Sequence, residues 1–212
     1  MEVREELRGS SSEEISFDED GNPETILKVN GVTVTESSGS YAQRTDENAE
    51  WSDITLALAI DFTTYGELRT AEAAGAIVDR KAKTIKPAGK YQSVKLYAGT
   101  PEDPEELILD YEALDKVVKA AKKVGRPIKL NVAGNGLYSF ESSQEKVNTV
   151  TQDAIKYLQE NGVKIAEIRS GGQTGIDEAG IIAAQRLGIK ASIHAPKGFK
   201  FRDVDGKDVS NK

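Results

Sequence analysis

The residues with most chemistry to offer lie between Ala166 and Gly188, AEIRSGGQTGIDEAGIIAAQRLG. Ala166 and Ile168 read as a short strand; Ser170, Gly171, Gly172, Gln173, Thr174 and Gly175 form a glycine-rich elbow, and a helix follows. Glycines at this density let the backbone turn sharply and aim its N–H groups outward, and the helix adds unpaired N–H groups and the positive end of its dipole. Together these make an anion site, usually a phosphate site. The pattern is neither a Walker loop, since no Gly-Lys-Ser/Thr follows, nor the G-x-G-x-x-G dinucleotide fingerprint. The Thr174 hydroxyl could hold phosphate oxygens, and Gln173 could reach a base, a sugar or a second phosphate. With no ligand, the same glycines would serve only as a tight strand–helix elbow.

Asp177 and Glu178 open the helix, where acids complement the dipole. Facing a ligand, either could touch a ribose hydroxyl or support an oxocarbenium-like centre. Gly134-Asn135-Gly136 follows an apolar strand and reads as a turn, or as backbone that approaches a ligand, with Asn135 contacting base or ribose. Asp61 with Thr63 and Thr64 reads as a ribose-binding acid or as a helix N-cap. Lys197, in APKGF, could neutralise phosphate. Arg169 could take a second phosphate bidentately or form a surface ion pair. His194, between Ile193 and Ala195, reads as a hydrogen-bonded structural histidine, one register step from an acid/base role. Glu67 and Arg69 read as a solvated helix face.

The elements that must position these groups are legible in the pattern. SDITLALAIDF (Ser52–Phe62) is a near-continuous apolar run, the form of a strand buried on both faces of a parallel sheet. KKVG-RPIKLNV, QENG-VKIAEIRS and QRLG-IKASIHA each read as helix end, capping glycine, then strand. That rhythm predicts parallel strands joined by right-handed crossovers: a doubly wound, Rossmann-like α/β sheet with helices on both faces. Ligands of such sheets bind beyond the carboxyl ends of the strands, which gathers Asp61–Gly66, Gly134–Gly136, Ser170–Gly175 and Pro196–Gly198 at one edge. Helices are expected over Gly66–Ala76, from the signature Thr100-Pro101-Glu102-Asp103-Pro104 to Val124 with a stripe of Leu114, Val117, Val118 and Ala121, and after Ser142 or Ser143 with Val147, Val150, Ala154 and Leu158 inward. Tyr91–Tyr97 is a candidate strand, and Lys81–Lys90 reads as a basic loop.

Composition bounds the rest. The 212 residues include no cysteine and one histidine, which excludes disulfides, thiolate chemistry and a multi-histidine metal site. No apolar run approaches the twenty residues of a membrane span and no signal-peptide pattern is present, so a soluble, cytoplasmic protein without membrane partners is expected. The net charge of −7 is uneven: residues 1–50 carry 13 acids and 4 bases, and the remainder 22 and 24. An acidic whole argues against nucleic acid as partner. Residues 1–50 read as an acidic, partly flexible leader holding one β-hairpin near 25–36, where Asn30-Gly31 separates alternating β-formers, either a lone hairpin or an extension of the mostly parallel main sheet; residues 51–212 read as the nucleotide-binding domain. After Phe199 and Phe201 the chain turns polar, so either a final helix is missing or the natural protein is longer.

SGGQTGIDEAGIIAAQRLGI resembles the phosphate-binding segment of the SMF/DprA–LOG (SLOG) superfamily, above all its molybdenum-carrier-like branch. The modules LNVAGNG, SGGQTG and APKGF are also similar to segments of large polyvalent proteins of bacteriophages. The resemblance implies a Rossmann-like domain that senses or sequesters a nucleotide-derived molecule such as an ADP-ribose derivative, needs no further cofactor, and dimerises through helix faces. The branch label implies oxyanion binding at the same loop. LOG-type phosphoribohydrolases carry G-G-x-G-T-x-x-E, and Glu178 is eighth counting from Gly171, with the inner Gly and Thr transposed; this implies, as a rival, hydrolysis of an N-glycosidic bond with Glu178 or Asp177 as essential carboxylate. A third reading is an interaction domain with an empty pocket.

Overall fold

The computed structural model describes residues 11–17, 23–29, 31–37, 39–100, 102–103, 105–197, 200–202 and 205–210. One strand of its sheet, β4 (Ile54–Ala59), is buried at every position. Side-chain alternation sorts this strand between two cores. Leu56 and Leu58 join the large aliphatic cluster with α3 (Tyr111–Lys123), α4 (Gln144–Glu160) and α5 (Ile176–Arg186). Ala57 faces a smaller, alanine-rich cluster with α1 (Tyr41–Trp51) and α2 (Tyr65–Ala73). Helices therefore cover both faces, and the thin alanine layer brings α1 and α2 close to the sheet.

Beside β4 lie β9 (Ile128–Gly134) and β7 (Tyr91–Ala98), both parallel to it. Outward from β9 follow β10 (Ile165–Ser170), β11 (Lys190–Ala195) and β3 (Val32–Glu36), again parallel. Antiparallel β1 (Ser11–Phe17) and β2 (Pro23–Val29) extend that side, and β8 (Leu107–Leu109) closes the other, giving the order β1-β2-β3-β11-β10-β9-β4-β7-β8. Two small hairpins, β5 (Ile77–Asp79) with β6 (Thr84–Lys86) and β12 (Lys200–Arg202) with β13 (Asp208–Ser210), stand apart from it. The fold is the Rossmann-like, doubly wound α/β sheet expected. From β4 the chain steps outward to β7 and then returns to β9 on the other side of β4. The strand order thus reverses between β4 and β9, the place where the carboxyl ends of an open α/β sheet part to leave a crevice.

Local expectations compare with these elements one by one. Gly125, Gly162 and Gly188 follow their helices at φ 75°, 82° and 65°, the left-handed conformation of a helix-ending glycine. The stripe of α3 and the inward residues of α4 are buried as read, and Ser143 caps α4 by accepting the Lys146 N–H. The hairpin of 25–36 is β2–β3, with Val29 opposite Val32 and Gly31 at φ 78°; Asn30 lies outside the described residues.

Three local readings change. Helix α3 starts only at Asp110, whose side chain accepts the Ala113 N–H, because Leu107–Leu109 pairs with β7 as an edge strand; Pro101 and Pro104 of the expected helix start lie outside the described residues. Thr84–Lys86, within the stretch read as a basic loop, pairs with Ile77–Asp79. Residues 41–50, set apart as leader, form all but one residue of α1, while the hairpin of 25–36 extends the main sheet through β3, the second of its two readings. Helix α1 escapes periodicity because its buried face is Arg44, Asn48 and Ala49, mostly polar. No helix among the described residues is long and apolar enough to cross a membrane.

Candidate functional site

A cleft of about 300 Å³ opens where the strand order reverses. One wall is the face of α1 bearing Tyr41, Arg44, Thr45 and Asn48, residues spaced three and four apart so that they share a side. The other is the start of α2, Thr64 to Thr70. Its floor is Asn131, Ala133 and Gly134 of β9, and its far end is Asn135, Gly136, Tyr138, Gln173 and Asp177. The volume is at the lower end for small-molecule sites.

Glu67 is the residue that sequence reading missed. It lines the cleft at 3% exposure, so the solvated helix face expected for it is wrong. Thr64 caps α2 by accepting the Glu67 N–H at 3.3 Å. Thr64-Tyr65-Gly66-Glu67 is a capping-box spacing, the signal that could have placed Glu67 in the first turn of a helix. In the fold its carboxyl turns inward, where Oε1 accepts the Asn135 Nδ2–H at 3.1 Å. Burial, then the negative charges of Asp177 and Asp61, push its pKa up to about 8 against the pull of that hydrogen bond. Glu67 is therefore largely an acid, not a carboxylate, at neutral pH.

Asn135 is spent on the fold. Its Oδ1 accepts from Ile60 N and Asp61 N at 3.0 and 3.1 Å, and its Nδ2 donates to Asp61 O and Glu67 Oε1. These four bonds use the full capacity of a side-chain amide, so the expected contact with base or ribose has no free atom to make it. Asp61 is exposed and accepts the Thr63 N–H at 2.7 Å, which holds its carboxyl below the usual range. The cap of α2 is Thr64, Asp61 holds only the turn before it, and neither Asp61 nor Thr63 lines the cleft.

Asp177 does line it. The carboxylate, 6% exposed, pairs with Arg44 at 3.0 Å and accepts hydrogen bonds from the amides of Gln173 and Gly134. Burial raises its pKa, and Arg44 with those amides opposes the rise. The pair dictates glycine at 171, since a Cβ there would fall on the Arg44 guanidinium and crowd Asp177. Gly175, at φ 92°, sits where a Cβ would collide with the Asn135–Leu137 backbone. The elbow's glycines thus let an ion pair and a neighbouring loop approach.

The loop amides are also engaged. Gly175 N–H donates to Gln144 Oε1 at 2.8 Å, Ile176 N–H to Asn135 O at 3.1 Å, and Gln173 N–H to Asp177. Part of the predicted anion nest is therefore filled by the chain's own carboxylate and amide groups. Gly134, Asn135, Gly136, Gln173 and Asp177 come together at the cleft; Ser170, Gly171, Gly172, Thr174, Gly175, Glu178 and Lys197 do not line it. Gly198 lies outside the described residues.

Arg169 stacks on Trp51 at 4.2 Å and donates Nε–H to Ser192 Oγ. His194 bridges Glu47 of α1 at 2.6 Å and Thr35 of β3 at 2.8 Å, the structural role expected. Arg69, also read as part of a solvated face, is half-buried on the cleft and pairs with Asp46 of α1. Among the described residues no three His, Asp or Glu side chains gather to hold a metal ion.

Seven buried side-chain polar atoms among the described residues have no hydrogen-bond partner in the chain. Four belong to residues of this cleft: Arg44 Nε, Asn48 Oδ1, Glu67 Oε2 and Arg69 Nε. Compared with known proteins, the chain matches no family model and no curated protein.

Proposed function

We propose that this chain binds a nucleotide-derived small molecule in the cleft between α1, α2 and the carboxyl ends of β4 and β9. One observation carries the reading: a cleft of about 300 Å³ lined by polar side chains, Arg44, Asn48, Glu67, Asn131 and Asp177 among them, opens at the strand-order reversal. Tyr65, 70% exposed on the cleft with Arg80 5.1 Å from its ring centre, offers a base the ring face that Arg80 leaves open. Of the SLOG-like loop Gln173 lines the cleft, and the resemblance points to the same class of ligand.

The test is thermal-shift titration with AMP, ADP-ribose, NAD and molybdate, with native mass spectrometry of the freshly purified protein. A nucleotide at a hundred times its Kd should stabilise the fold by about 2.7 kcal/mol, and Asn48→Ala should weaken that effect. If none of these compounds shifts the transition at millimolar concentration, the reading fails.

A second reading, N-glycosidic hydrolysis, gains from the presence of two carboxyl groups in one cleft, Glu67 with its pKa pushed up and no arginine partner, and Asp177 paired with Arg44. In that case a bound nucleotide returns as free base and ribose phosphate, Glu67→Gln abolishes turnover while sparing binding, and Glu178→Gln has little effect.

A further inference from the structure

Positive charge is scarce at the glycine loop and plentiful on the far side of Tyr65. At the loop, three amides are already spent on Gln144, on the Asn135 carbonyl and on Asp177. Both arginines of the cleft are matched by carboxylates, Arg44 by Asp177 and Arg69 by Asp46. A phosphate placed there would meet acids and no spare cation. Residues 77–97, by contrast, hold six Lys or Arg and one acid, in a chain whose net charge is −7.

The hairpin β5–β6 within that stretch is built onto α2. Arg80 clasps Glu72 of α2 through two N–H groups at 2.7 and 2.5 Å, and its guanidinium lies 5.1 Å from the centre of the Tyr65 ring. Val78 and Ile85 pack against the alanine-rich cluster. The Asp79 carboxylate ties the turn by accepting the N–H groups of Lys81 and Ala82, both at 2.9 Å. In that turn Lys83 is exposed and held at φ 53°, the left-handed region, which no other non-glycine among the described residues adopts. Glycine would take that conformation without strain, and strain of this kind gathers at ligand clamps. Side-chain alternation along β7 adds a second cation. Tyr91 faces the alanine-rich cluster, so Lys95 and Tyr97, four and six residues on, take the same side of the sheet, both exposed. Both lysines bear electrostatically on Asp61, just after β4, and the Asp61 carbonyl accepts from Asn135 of the cleft.

Resting on the nucleotide reading above, we propose that the ligand's phosphates lie outside the glycine loop, past Tyr65 and against the hairpin β5–β6, with Lys83 and Lys95 as their cations. The ligand class is then a nucleoside carrying a phosphate chain that leaves the cleft. Phosphates on this exposed surface keep much of their hydration, so their charge is met without the desolvation that burial demands.

The experiment is calorimetric titration of the whole chain with adenosine, AMP and ADP at about 50 mM and about 300 mM salt. ADP is expected to bind about tenfold tighter than adenosine at the lower salt and within about threefold at the higher, because exposed charge pairs are screened. Lys83→Gln combined with Lys95→Gln should bind adenosine as the wild type does, and ADP no more than about twofold tighter. Lys119→Gln combined with Lys123→Gln removes the same charge from α3, on the opposite face of the sheet, and should leave the advantage of ADP intact. All four side chains are exposed, and circular dichroism checks that each variant folds. An advantage that survives loss of Lys83 and Lys95, or that falls equally with the change on α3, overturns the assignment and leaves the nucleotide reading standing. ADP that binds no tighter than adenosine does the same. If no member of the series binds, both fall together.

Discussion

Glu67→Gln should alter the pH dependence of stability even with no ligand present. In the unfolded chain this carboxyl titrates near 4.5, and in the fold it is pushed up to about 8. The native state therefore holds a proton that the unfolded chain releases over that interval. The sign follows directly: the stabilisation is fully present below 4.5, declines as pH rises, and is gone above about 8. With about 1.4 kcal/mol per pH unit, the loss between about pH 5 and about pH 8 is roughly 3 to 4 kcal/mol, or about 10 °C in Tm for a chain of this size. Glutamine keeps the acceptor used by Asn135 and never ionises, so the variant should be spared that decline and cross from near parity in acid to clear advantage in mild base. Urea unfolding followed by fluorescence of Trp51, the one tryptophan, measures the difference at each pH. Other titrating groups cancel in the comparison. Curves for wild type and variant that stay parallel within about 1 kcal/mol from about pH 5 to about pH 9 would refute the buried acid.

Further outcomes follow from the same contacts. Gly171→Ala should lose about 3–5 kcal/mol by prising Arg44 from Asp177, whereas Gly66→Ala, with nothing within 4 Å of a new Cβ, should hold or gain up to about 1 kcal/mol by helix propensity; denaturant midpoints separate the two. Asp177→Asn should cost about 3–5 kcal/mol by stranding Arg44, and adding Arg44→Met to Asp177→Leu should recover most of the loss of Asp177→Leu alone. Gln144→Ala removes the side chain that holds both the N–H and the C=O of Gly175, for a loss of roughly 1–3 kcal/mol by calorimetry. His194→Ala unties Glu47 of α1 from β11 and from Thr35 of β3, with a loss of roughly 1–3 kcal/mol and, because α1 carries Arg44 and Asn48, weaker nucleotide binding by titration.

Sequence alone determined the architecture, since its signals are local. An apolar run declares a strand covered on both sides, Leu114 to Ala121 declares a helix face, and Gly125, Gly162 and Gly188 mark where helices stop, all within a few residues of the feature they predict. The carboxyl-edge rule then pointed to four segments, of which Thr64–Gly66, Gly134–Gly136 and Gln173 line the cleft, whereas the reversal of strand order between β4 and β9 came only with the fold. Tertiary structure decided the chemistry. Glu67 stands among exposed-looking neighbours, and its proton is set by Asn135 and Asp177, residues distant in sequence that β9 and α5 bring to it. Helix α1 gave no apolar period because it faces a polar cleft, so its arginine could not be seen as the partner of Asp177, 133 residues away. Charge state is a property of the assembled surroundings. A carboxyl's letter in the sequence is the same whether water or a dry cleft surrounds it, and only the fold decides which.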